Sequence, residues 1–261
     1  MARTLLKTQS VLPLSPRSTA ALLASLSWCL ASGAYAYQLK VTTNGSPVRW
    51  QAPAIELELA VVEDGSVSRA EVREALALAA TTWTAIPEVP SIRVRDGRSR
   101  RWGHDGINGV YVLSRWPFAD RRLAVTISTY RDDTGELLDT DVLINGEMAL
   151  ELGREECRPD RYDLGLLMTH ELGHVLGLDE SDVRSATMWP ASRMGEMDRR
   201  GLAVDDVDAA LALYAAETPP AARERCSAAT TRSRPSALLL GISAFVGLAR
   251  LGRGRTRHAR T

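Results

Sequence analysis

Two histidines four residues apart with a glutamate between them open the chemistry of this 261-residue sequence: His170-Glu171-Leu172-Gly173-His174. On a helix, positions i and i+4 share a face, so both imidazoles can reach one metal ion. Glu171 lies between them, where it can address a water on that ion rather than the ion itself. The metal lowers the pKa of the water and the carboxylate takes its proton, which is the division of labour in a zinc hydrolase. Three residues after His174, Gly177 stands where a helix must stop and the chain reverse, a turn that favours glycine. Leu178-Asp179-Glu180 then returns a carboxylate toward the metal. Two His and one Glu form an acceptable catalytic set that leaves one tetrahedral position open for water. Asp179 is the nearest competitor of Glu180 for that place.

Met188 follows eight residues beyond Glu180, in Ala186-Thr187-Met188-Trp189-Pro190. From His170 to Pro190 the chain resembles the zinc site and Met-turn of metzincins, specifically the matrixin (matrix metalloprotease-type) family, in an exported bacterial form. The family pattern is H-E-x-x-H-x-x-G-x-x-H followed by a Met-turn at this spacing. Asp205-Asp206-Val207-Asp208-Ala209-Ala210-Leu211-Ala212-Leu213-Tyr214 also resembles the family's closing helix, whose aspartates brace the Met-turn. The resemblance implies one catalytic Zn2+ on His170, His174 and Glu180, Glu171 as general base, and Met188 as an apolar floor rather than a ligand. It implies a zinc endopeptidase acting on protein or peptide substrates, and an α/β (α+β) metzincin catalytic domain over residues 37–216. That domain has a twisted five-stranded mixed sheet, two long helices, a Met-turn and a C-terminal helix. Two departures stand out. Glu180 occupies the position where the family has His, occasionally Asp, and no cysteine switch precedes the catalytic segment.

The elements that must position these residues are legible as patterns. Ile55-Glu56-Leu57-Glu58-Leu59 alternates like a strand with one buried face. Ser66 or Ser68 can cap a helix running through Trp83, with apolar residues at Val72, Ala75, Leu76, Ala79, Ala80 and Trp83. Further strands are expected at 91–95, 110–113, 123–130 and 137–144. The third of these precedes the turn signal Asp132-Asp133-Thr134-Gly135. A long helix is expected over 162–176 and a last one over 204–214. The edge formed by Leu123 to Tyr130 is the expected seat of an extended peptide, held by strand addition.

The formal charge of zero is a cancellation. Residues 1–36 hold three basic and no acidic side chains, and residues 219–261 hold nine Arg and one Glu. The body between them carries 20 basic and 31 acidic groups, a net of −11. Such a body suits cations and argues against nucleic acid, which needs a basic face. Arg3, Lys7 and Arg17 precede the apolar run Thr19–Leu30 and the small-x-small triplet Ala34-Tyr35-Ala36, the layout of a secretory signal peptide over 1–36. The expected protein is a monomer, extracellular or attached to the cell surface or envelope. Residues 217–261 read as a linker, a short apolar segment (Ala237–Ala249) and an Arg-rich tail, standing apart from the body and either tethering the protein to a membrane or being trimmed. Cys157 and Cys226 form one disulfide or remain two independent thiols; spacing does not decide. Asp105, Asn108, Asp132, Asp133, Asp139 and Asp141 could supply oxygens to Ca2+, but no calcium ligand is assigned. A rival from another class is a non-catalytic zinc-binding surface module; Glu171 tells against it, because a mere binder needs no general base.

Overall fold

The structure is a computed structural model that describes residues 37–63 and 65–215, together with the backbone of 238–247. The expected signal peptide, Cys226 and the Arg-rich end lie outside the described residues.

The central sheet runs β3 (Ser91–Asp96), β2 (Ala54–Val62), β4 (Asn108–Leu113), β6 (Leu137–Asn145) and β5 (Ala124–Arg131) from one side to the other. The first four are mutually parallel, and β5 is antiparallel to β6. This is the expected mixed five-stranded sheet. The helix α1 (Arg69–Thr84) makes the crossover from β2 to β3. It starts where its chemistry says it should: Ser68 accepts from the Glu71 amide, and Glu71 reaches back to the Ser68 amide. The six apolar positions expected to face inward, from Val72 to Trp83, are all buried. They pack with Ile55, Leu57, Leu59, Val110, Val112, Val142 and Ile144 of the sheet and with the second helix, α2 (Leu164–Leu176), in one continuous core. Trp83 is wholly enclosed, and its indole N–H donates to the Thr169 carbonyl at 2.7 Å, which fixes α1 against α2.

The expected helix over 162–176 begins two residues later. Tyr162 and Asp163 form the short strand β8, paired with β7 (Leu150–Glu151), and Asp163 caps α2 by accepting from the Leu166 amide at 2.6 Å. Arg200 closes an ion pair on the fully buried Asp163 carboxylate. Beyond α2 come β9 (Leu178–Ser181), β10 (Ala191–Ser192), a single 3-10 turn at Asp198–Arg200 and α3 (Val204–Tyr214). The segment β1 (Tyr37–Leu39), for which the sequence carries no pattern, pairs antiparallel with β9.

One expectation is corrected at the C-terminal end. Part of the apolar stretch expected to stand apart from the body is a ten-residue strand, β11 (Leu238–Gly247). It lies between β5 and β10 and extends the sheet to the order β10-β11-β5-β6-β4-β2-β3. The physical reason is that β5 is an edge of the five-stranded sheet. An edge presents unpaired N–H and C=O groups that an uncharged extended segment can satisfy.

Candidate metal centre and active site

The helix α2 brings His170, Glu171 and His174 together inside the molecule, and all three are fully buried. Both imidazoles are oriented through Nδ1. His170 Nδ1 lies 2.8 Å from the Thr187 carbonyl and His174 Nδ1 lies 3.0 Å from the Leu178 carbonyl. A carbonyl can only accept, so each Nδ1 carries the proton and each Nε2 presents a lone pair. The two Nε2 atoms nevertheless face each other at 3.1 Å. Two neutral lone pairs at that distance repel unless a cation lies between them. Two Zn–N bonds of about 2.0–2.1 Å at a tetrahedral angle would separate the nitrogens by about 3.3 Å, close to what is observed. Burial holds both imidazoles neutral: it pushes each well down from the ordinary histidine range, helped for His170 by its neighbour His174 and for His174 by the charge of Lys40.

Gly177 supplies the turn that brings the third group back. It ends α2 at φ 98°, in the left-handed region, and a Cβ there would stand 2.1 Å from the Val48 carbonyl oxygen. The chain reverses into β9, which carries Glu180 to within 3.6 Å of His170 Nε2 and 3.7 Å of His174 Nε2. Among the described residues, His170, His174 and Glu180 are the one group of three metal-type ligands that converge, their ligand atoms within 4.8 Å of one another. Asp179 turns elsewhere: its carboxylate accepts from the Glu180 amide at 2.9 Å. Glu180 Oε2 and Glu171 Oε1 are both buried without a hydrogen-bond partner. Orphaned carboxylate oxygens beside two imidazole lone pairs are the donor set of a divalent cation, so the residues present fit zinc. Burial raises the Glu171 carboxyl to about 8 and that of Glu180 to about 9, the latter also through repulsion by Glu171 and Asp179. A bound dication would pull both back to the ionised form.

The Met-turn lies below. Met188 is buried, and its sulfur sits so close over Gly173 that a Cβ on that residue would approach it to 2.2 Å. The turn is held by α3: Asp206 accepts from the amides of Thr187 at 2.8 Å, Met188 at 3.0 Å and Ala203 at 2.8 Å. Thr187 is thus braced on one side by Asp206 and on the other presents its carbonyl to His170. Arg199, itself buried, donates to the carbonyls of Ala186 and Trp189 and so ties the turn to the segment leading into β10.

Two partners of the site carry no local signal in the sequence. Thr126 of β5 donates its hydroxyl to Glu171 Oε2 at 2.6 Å. Lys40, the residue after β1 and the only lysine beyond Lys7, is buried and donates to Ser128 Oγ at 3.3 Å. Burial lowers its ammonium to about 8, against the opposing pull of Asp179, Glu171 and Glu180. The oxygens considered for calcium are largely engaged within the protein. Asp139 accepts from the amides of Asp105 and Gly106, Asp141 from Gly103 and Gly109, and Asn108 Oδ1 from Thr140. Asp132 accepts from Thr43. Cys157 is buried, and burial pushes its thiol up to about 11.

Comparison with known families agrees with this geometry. Residues 115–215 match the family model described as matrixin. The comparison with curated proteins returned no match. The matched stretch runs from just before β5 to the end of α3 and contains the histidine helix, the Gly177 turn, Glu180, the Met188 turn and the aspartates beneath it. On that match and this arrangement, the chain carries a matrixin-like metzincin domain.

Proposed function

We propose that this protein is an exported zinc-dependent endopeptidase that hydrolyses peptide bonds with Glu171 as general base. The observation that carries the reading is the facing pair of imidazole nitrogens at 3.1 Å with the Glu180 carboxylate beside it and Glu171 adjoining. His170, His174 and Glu180 would hold the ion. When bound, zinc supplies a more acidic water and a Lewis acid for the scissile carbonyl. The chain's own residues do the rest. Glu171 has one oxygen held by Thr126 and the other without a partner, so one oxygen is positioned and the other is open to a proton. Glu171 takes a proton from the attacking water and returns it to the leaving amine. The edge of β5, which β11 covers, would hold an extended peptide by backbone pairing in place of that strand, beside the residue that positions the base. Export through the leader at residues 1–36 places the activity outside the cytoplasm, with the C-terminal tail as the element that would tether or be trimmed.

The test is cleavage of a peptide library by the metal-loaded protein, by the chelator-treated protein and by Glu171→Gln. The expected result is chelator-sensitive cleavage restored by zinc, and a Glu171→Gln protein that keeps its zinc while turnover falls by about 10²–10⁴. Zinc retention with no cleavage by the native chain would instead favour a metal-binding module. Cleavage by Glu171→Gln at the native rate would overturn the assigned base.

A further inference from the structure

The strand β11 takes the place in which the peptidase reading needs a substrate. It runs antiparallel to β5, with Ser243 opposite Thr126 and Gly241 opposite Ser128. On its other side it runs parallel to β10, with Val246 opposite Ala191 and Gly247 opposite Ser192. β10 begins directly after Pro190, at the end of the Met188 turn. Thr126 is the residue that holds Glu171, and β11 also lies against α2. One strand spacing, about 4.8 Å, therefore separates the β11 backbone at Ser243 from the backbone of the residue that positions the base. A segment of the same chain thus bridges the strand that bears Thr126 and the strand that follows the Met188 turn.

The occupant has a defined chemistry. Leu238-Leu239-Leu240-Gly241-Ile242-Ser243-Ala244-Phe245-Val246-Gly247 contains no charged residue, although Arg234 and Arg250 lie close on either side. Backbone pairing on two edges supplies the affinity of such an arrangement, whatever the side chains add. Because it is covalently joined to α3 through residues 215–237, its effective concentration at the groove is in the millimolar range typical of short tethers.

We infer that residues 238–247 are a resident intramolecular peptide in the groove between β5 and β10, which other peptides must displace, and that the groove accepts extended, uncharged, apolar segments. The consequence for activity rests on the peptidase reading above; the seating of the strand does not. Among the residues whose side chains are described, β2–β6 and the three helices already form one continuous core, so displacement is expected to leave the folded body intact.

The experiment compares the full chain with a full-length Ile242→Pro/Ser243→Pro variant. Neighbouring N–H groups point to opposite edges, so one of the two prolines removes a donor toward β5, where Ile242 and Ser243 stand opposite Ile127 and Thr126. A second variant, deletion of 237–261, guards against an effect of the prolines alone. Hydrogen exchange of the β5 amides is measured in all three, along with zinc content and peptide hydrolysis. The expected result is that β5 amides exchange at least tenfold faster in both variants and that a synthetic peptide of residues 236–249 restores their protection in trans. For an apolar peptide substrate, KM should fall by about tenfold or more while kcat is unchanged. Equal β5 exchange in all three proteins would overturn the seating, whatever the activity. Altered exchange with no hydrolysis by any of them would uphold the seating and sink the peptidase reading. Hydrolysis with the same KM in all three would show that the strand does not compete with substrate.

Discussion

Thr126 donates its hydroxyl to Glu171 at 2.6 Å, joining the edge strand of the sheet to the helix that bears both histidines. The bond gives one carboxylate oxygen a fixed direction and leaves the other without a partner in a buried position. It also favours the ionised form of Glu171, offsetting part of the effect of burial.

Removing that hydroxyl while keeping its shape should therefore impair the base without dismantling the site. Thr126→Val is expected to lower kcat by about ten- to a hundredfold, the range for a lost hydrogen bond to a charged group. The acid limb of the pH–rate profile should move to higher pH, because the hydrogen bond that lowers the Glu171 pKa is gone. Thr126→Ser should retain both. Unchanged pH profiles across the three proteins would show that the hydroxyl plays no part in positioning the base.

Glu180 and Asp179 are neighbours with different employment. Glu180 approaches both imidazoles, whereas Asp179 accepts its neighbour's amide. Glu180→Ala should lose zinc on dialysis and with it the activity, Asp179→Ala should keep most of both, and Glu180→His should recover at least partial binding. Metal content by mass spectrometry decides the matter; full retention in Glu180→Ala together with loss in Asp179→Ala would reverse the assignment.

Asp206 satisfies three amides of the Met188 turn and the α3 start from a nearly enclosed position. Truncation would leave those donors unpaired. Asp206→Ala should destabilise the fold by about 3 kcal/mol or more, seen as a lower urea midpoint at an unchanged slope. Asp205→Ala, which gives up a single bond to the Ser181 hydroxyl, should cost about 1 kcal/mol. Similar midpoints for the two variants would show that the Met-turn does not depend on Asp206.

Lys40 gives a pH-dependent test. Its folded pKa, about 8, lies below the ordinary 10.5, so between those values the unfolded chain binds more protons and stability rises with pH. Below pH 8 the cost of burying the charge is present in full. In chelator-treated protein, Lys40→Met should therefore raise stability at pH 7 by on the order of 2 kcal/mol, and the gain should fade between pH 8 and 10.5. Denaturant titrations at pH 7 and pH 10.5 measure it. A gain that stayed constant with pH would point to packing rather than charge.

Local patterns were enough to locate most of the framework. The apolar stripe from Val72 to Trp83 with its Ser68 cap, the alternation at Ile55–Leu59 and the span Val204–Tyr214 all correspond to elements of the structure. Each of these depends on neighbours within a turn or a strand, where residue spacing and burial are the same information. The pairing of His170 with His174, and the need for Gly177 to turn the chain, are likewise set by helical geometry and by the absence of a Cβ.

Long-range pairing decided the rest. Glu180 is the residue that the family spacing singles out, but the way it faces the imidazoles while Asp179 accepts its neighbour's amide follows from β9 running out of the Gly177 turn and pairing with β1. Thr126 and Glu171 are 45 positions apart and meet because β5 is antiparallel to β6 and lies beside α2; a lone threonine in a strand announces nothing of the kind. Lys40 is drawn inside because the β1 strand is laid against β9. The apolar run near the C-terminus could be read only as hydrophobic, since composition is silent about partners. Its place on the sheet depended on β5 having an open edge, and an edge exists only once the other strands have chosen their order.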